Sequence, residues 1–62
     1  MLEIEMLKEI IKEKDLSQEK LARALGVSLG TVMRWFQNKN KPSDLALIQI
    51  RIFISKYKKE EK

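Results

Sequence analysis

Only two residues, Gly26 and Val27, stand between the end of one helical apolar pattern and a serine able to cap the next. Leu21, Ala22 and Leu25 form the inward face before the break, and Val32 and Trp35 form it afterwards. Ser17 is placed to accept the first free N–H groups of a helix Gln18 to Leu25, and Glu19 lies in its first turn, where the helix dipole favours an acid. Gly26 takes positive φ at little steric cost and ends that helix. Ser28 then caps a helix from about Leu29 to Gln37. Ala22 is small where the two helices cross, Leu21, Leu25, Val32 and Trp35 fill the angle between them, and Val27 plugs the corner. So short a connection makes the helices cross steeply and leaves the outer face of the second projecting from the domain.

Helical spacing extends over the rest of the chain, and no alternating strand pattern appears. A first helix is predicted from about Leu2 to Lys14, with Leu7, Ile10 and Ile11 inward and Glu3, Lys8, Glu9 and Lys12 turned to water. Asp15 suits a left-handed turn residue. Asn38 suits one after the third helix, where a basic loop runs to Lys41. Pro42 stops that loop from continuing as helix, and Ser43 caps a fourth helix reaching about Lys58, with Asp44 in its first turn. The expected fold is all-α, a small domain of four to five helices over residues 1–58. A charged tail, 59–62, is expected to fray.

Sixty-two residues bury one small core, roughly 60% of the unfolded surface, and leave no room for a deep cleft with a second domain. Cysteine and histidine are both absent, which excludes disulfides and the usual zinc sites and removes the commonest general base and soft nucleophile. Glu3, Glu5, Glu9 and Glu13 read as a solvated helix face rather than a carboxylate site. No enzyme activity, cofactor, metal or small-molecule ligand is expected. With no signal peptide or long apolar run, the chain is expected to be cytoplasmic and without a membrane partner. The net charge of +4 is unevenly spread. Residues 17–43 carry Lys20, Arg23, Arg34, Lys39 and Lys41 against Glu19 alone. Such a local excess is the footprint of a polyanionic partner, or simply of a soluble basic surface.

The run LSQEKLARALGVSLGTVMRWFQNKNKPS resembles the helix-turn-helix of the Xre/Cro/phage-repressor (lambda-repressor-like) family of DNA-binding proteins. Gln18, Ala22, Gly26, Val32, Trp35 and Pro42 fall at the family's intervals, and LKEIIKEKD upstream has the spacing of its first helix, so the likeness covers about 50 of the 62 residues. The resemblance implies a motif at about 17–37 that binds double-stranded DNA. It sets Gln18 against a phosphate, and Ser28, Leu29, Gly30, Met33, Arg34 and Gln37 facing the duplex with Thr31 at their margin. It also sets Lys39 and Lys41 at positions that commonly meet the backbone. A helix of this size fits the major groove, about 12 Å wide. Leu29 stands where a polar or basic residue is frequent; it cannot donate to a base but can pack on a thymine methyl. Phe36 and Ile11 stand where the family frequently carries Glu and Arg. Arg34 is the strongest candidate for a base contact, its alternative being a solvated or ion-paired charge. Leu29 and Met33 have the alternative of packing on a protein partner.

The fourth helix carries two apolar stripes: Leu45, Ile48 and Ile52 on one side, and Leu47, Ile50, Phe53, Ile54 and Tyr57 over a broad arc on the other. One stripe closes the core. The other exceeds what a small monomer exposes without a purpose. The second arc is therefore expected to form a homodimer contact, making the helix at about 43–58 a dimerisation element; the alternative is that so small a fold uses both stripes inside the monomer. A two-fold pair presents two reading helices about 34 Å apart to a near-palindromic operator. The sequence thus predicts a transcriptional regulator of repressor type. The alternatives are a helix-turn-helix protein-interaction adaptor or an antitoxin or phage-control component.

Overall fold

The computed structural model describes residues 1–58. The charged tail, 59–62, lies outside the described residues. Four helices follow one another: α1 (Leu2–Glu13), α2 (Gln18–Leu25), α3 (Leu29–Phe36) and α4 (Asp44–Lys58). No strand occurs among the described residues, and no helix among them is long and apolar enough to cross a membrane.

Each connection has a chemical cause at both ends. Ser17 Oγ accepts the Lys20 N–H at 3.1 Å, Ser28 Oγ accepts the Thr31 N–H at 3.2 Å, and Ser43 Oγ accepts the Ala46 N–H at 3.2 Å. The first three helices close in the same way. Asp15, Gly26 and Asn38 have φ of 55°, 74° and 61°. The N–H of the residue after each reaches back to a carbonyl of the last turn: Leu16 to Ile11 at 2.8 Å, Val27 to Ala22 at 3.0 Å and Lys39 to Arg34 at 2.9 Å. These are Schellman closures, which satisfy carbonyls the helix leaves without partners. A Cβ at Gly26 would meet nothing within 4 Å. The cost of Gly26→Ala therefore comes from the backbone alone. A loss of about 1 kcal/mol is expected, left-handed strain of roughly 1–2 kcal/mol being partly offset by a stiffer unfolded chain. Thermal denaturation followed by circular dichroism checks it; an unchanged midpoint would mean that Val27 and Ala22 can re-form their bond around an ordinary turn.

The core gathers Ile4, Leu7 and Ile10 from α1, Leu21, Ala22 and Leu25 from α2, Val32 and Trp35 from α3, and Ile50, Phe53 and Ile54 from α4. Ile4 joins the stripe expected of α1, while Ile11 is only half-buried at its edge. Helix α3 packs on α2 and α1, and α4 packs on α1 and α2. The first and second helices thus form a middle layer between α3 and α4.

Two expectations about surfaces are corrected. Glu3 and Lys8 are not simply solvated. Arg51 donates through Nε and Nη2 to Glu3 Oε2, both at 3.3 Å, tying α4 to α1. Lys8 Nζ lies 5.6 Å from the Phe36 ring centroid, while also 3.7 Å from Glu5 Oε2. The second correction concerns α4. The arc expected to form the dimer contact turns inward: Ile50, Phe53 and Ile54 are buried, and Leu47 and Tyr57 are half-buried. The Tyr57 ring stacks obliquely on Phe53 at 4.8 Å between centroids, under Lys14 Nζ at 5.7 Å. The stripe left outside is Leu45, Ile48 and Ile52, exposed by 77%, 51% and 48%. Two surfaces of similar apolarity compete for one core. The broader arc, with its aromatic rings, removes more area from water when it turns in.

Candidate nucleic-acid interface

Helix α3 has an inside and an outside that differ in kind. Val32 and Trp35, three apart, are buried against α1 and α2. Thr31 and Phe36 are half-buried at the flanks, and Phe36, like Ile11, packs against the core. The remaining positions, Leu29, Gly30, Met33 and Arg34, are exposed, as is Gln37 at the C-cap. Five of the positions at which the family resemblance places DNA therefore share one continuous outer face, anchored from behind by the tryptophan.

Along that face the chemistry changes from edge to edge. Leu29 and Met33, four apart, make an apolar edge. Gly30 and Gln37 occupy the middle. Arg34 forms the opposite edge, its Nη1 lying over Gly30. Among the described residues the Arg34 guanidinium has no hydrogen-bond or ion-pair partner, so its donors stand open. Ser28 and Thr31 are placed differently from a pair of free readers. The Ser28 hydroxyl accepts the Thr31 N–H and lies 2.9 Å from Thr31 Oγ1, so both hydroxyls are engaged in capping the helix. This commitment is hidden at the level of residue type, although a serine three residues before a threonine at a helix start is the signal that could have disclosed it.

The flanks of the face are basic. Gln18 is half-buried at the first position of α2, beside N–H groups that a helix start leaves without intrahelical acceptors. Lys39 and Lys41 are exposed in the loop after α3. The Lys39 backbone is held by its bond to the Arg34 carbonyl. The loop around Lys41 borders a cleft of about 130 Å³ lined also by Met1, Ile4, Trp35, Asn38 and Pro42. The tryptophan that anchors α3 thus also faces the cleft beneath the loop that carries the two lysines. Among the described residues neither lysine has an acidic partner. The lone acid of residues 17–43, Glu19, lies 3.6 Å from Arg23 Nη2 in an exposed i, i+4 pair, so the net positive field of the segment stands.

A helix-turn-helix family model matches residues 7–57, from the core-facing turn of α1 to the aromatic end of α4. No curated protein and no solved structure matches the chain. The match covers more than half of the sequence and takes in all four helices, with the tight turn and outward α3 at its centre. The chain belongs to the Xre/Cro/lambda-repressor-like helix-turn-helix family of DNA-binding regulators.

Proposed function

We propose that this protein is a sequence-specific transcriptional regulator of repressor type, which inserts α3 into the major groove and acts by occupying its operator. The observation that carries the reading is the two-sidedness of α3. Trp35 and Val32 are buried behind it, while Leu29, Met33 and Arg34, whose side chain has no partner among the described residues, stand outside, on a helix that packs mainly on α2 and α1. Arg34 is assigned to a guanine, which it can bind bidentately. Gln18, Lys39 and Lys41 are assigned to phosphates, which fix position and register. Ser28 and Thr31 take part through the capped start of α3 rather than as free hydroxyls.

We assign the pairing of two copies to the exposed stripe Leu45, Ile48 and Ile52, spaced three and seven along α4, in place of the arc that the core consumes. A homodimer joined there would bind a near-palindromic site. The same stripe is what favours the second reading, an adaptor or antitoxin component docking a different protein.

Selecting bound sequences from a random duplex library tests the reading. A single enriched motif with two inverted halves is expected. No enrichment would sink sequence-specific recognition, and an enriched motif without symmetry would sink the pairing. On the selected duplex, Arg34→Ala is expected to lose about 1–3 kcal/mol per half-site and to relax preference at one base pair, with random DNA bound nearly as before. Lys39→Ala should weaken both duplexes alike. Fluorescence anisotropy on the two duplexes distinguishes the effects, and an equal loss on both for Arg34→Ala would remove Arg34 from base reading.

A further inference from the structure

The fold gives no reason for Gly30. Its φ is not left-handed, and a Cβ built on it would meet only Arg34 Nη1 at 3.8 Å and Ser28 Oγ at 3.9 Å, both ordinary contacts. Alanine would fit and would favour the helix. A glycine that neither the backbone nor the packing requires, in the middle of an exposed face, suits the close approach of something outside the chain.

The surrounding side chains indicate what approaches. Leu29 and Met33 flank Gly30 on one side, each 42% exposed, where a polar face would ordinarily be found on so short a solvent-facing helix. The nearby hydroxyls of Ser28 and Thr31 are engaged with each other and with the helix start. Arg34 and Gln37 supply the polar side chains that remain outward. The partner must therefore present apolar groups beside a hydrogen-bonding edge, and it must accept a segment carrying +4. In the major groove the apolar group on a base edge is the 5-methyl of thymine. Side chains four apart on a helix stand about 5–6 Å from each other at Cβ, a separation suited to neighbouring base pairs.

We infer that α3 reads its site largely through methyl groups. Leu29 and Met33 pack on the 5-methyl groups of neighbouring thymines, brought within reach because Gly30 lets the helix backbone close on the groove, while Arg34 takes a guanine beside them. This inference rests on the proposed entry of α3 into the major groove. It adds the chemical class of the target, a thymine-rich step next to a guanine. It also makes Leu29, Gly30 and Met33 specificity-determining residues.

The experiment uses the duplex selected from the random library, resynthesised with deoxyuridine replacing one thymine at a time. Uracil keeps the pairing and hydrogen-bonding edge of thymine and lacks only the methyl. At the positions under Leu29 and Met33, each replacement is expected to weaken binding about fourfold, the loss for one buried methyl. Leu29→Ala should abolish the uracil effect at one position and Met33→Ala at its neighbour; both residues are exposed, so the fold is retained. Gly30→Ala should raise the melting temperature yet weaken thymine and uracil duplexes alike by about tenfold or more, as overpacking does. Full uracil sensitivity in the Leu29 and Met33 variants would overturn the assignment. So would unchanged DNA affinity in both, which would mark the apolar edge as a protein-docking face. A motif that is enriched but indifferent to uracil leaves groove entry standing and removes only the methyl contacts, whereas no enriched motif sinks both.

Discussion

Raising the salt from about 50 to about 200 mM is expected to cut affinity for the selected duplex by about 10³–10⁵. The size follows from counting phosphates. Each protein cation placed on a phosphate releases condensed counterions, and log K falls with log salt at about −0.9 per contact on double-stranded DNA. Gln18 adds a hydrogen bond and the α2 terminus a dipole, while Lys39 and Lys41 add full charges that have no acidic partner among the described residues. Lys20, also in this segment, is exposed on α2. A two-fold pair doubles that set to roughly 6–10 contacts, and these give the stated range. A monomer with half as many contacts would lose only about 10²-fold. The slope therefore reports pairing as well as electrostatics. Anisotropy titrations at five or six salt concentrations measure it, and a nearly flat dependence would exclude the phosphate contacts altogether.

Trp35→Ala is expected to destabilise the domain severely or unfold it, rather than merely to weaken binding. Trp35 is 3% exposed, and it joins α3 to the core and borders the cleft under the Asn38–Pro42 loop. Removing a buried Trp costs about 3–5 kcal/mol through lost transfer energy and the cavity left behind. A chain of 62 residues has a total stability of only roughly 3–9 kcal/mol at typical values per residue. From about a third to all of the stability is therefore lost, and the cooperative melt seen by far-ultraviolet circular dichroism should disappear or fall by tens of degrees. Trp35→Phe keeps most of the packing and should melt within reach of the parent. Were Trp35→Ala to melt normally and lose only DNA binding, the indole would be a contact residue and the anchor argument would fail. The neighbouring Arg34→Ala provides the contrast, since its side chain has no partner among the described residues and its removal is expected to leave stability nearly unchanged.

The legible part of this fold is the part written in short-range chemistry. Ser17, Ser28 and Ser43 are each found accepting an N–H from the third residue on, and Asp15, Gly26 and Asn38 each take positive φ, as the sequence predicts. Capping depends on residues three apart and left-handed turns depend on one residue, so neither waits for the rest of the molecule. The inward set of α2 and α3 was legible for a similar reason. Leu21, Ala22, Leu25, Val32 and Trp35 form a single apolar stripe on each helix, and polar or exposed positions surround it. The outward positions of α3 followed by exclusion, but their internal chemistry did not. That Ser28 and Thr31 spend their hydroxyls on each other, and that Arg34 lies over Gly30, depends on rotamers that residue types leave open.

The boundary between the two kinds of information runs through α4. From the sequence alone the protein was bound to form helices with these ends, a tight turn at Gly26-Val27 and a basic middle segment. Which stripe of the last helix turned inward was left to the tertiary structure. Leu45, Ile48 and Ile52 form a stripe as regular as the arc through Ile50, Phe53 and Ile54, and a periodic pattern read along one helix has no preference between two apolar sides. The choice belongs to the surface of α1 and α2 against which the helix docks. There the rings of Phe53 and Tyr57 fit, and Arg51 meets Glu3, 48 residues away. Contacts between residues so distant in the chain exist only once both helices are in place, and for that reason no local rule could have anticipated them.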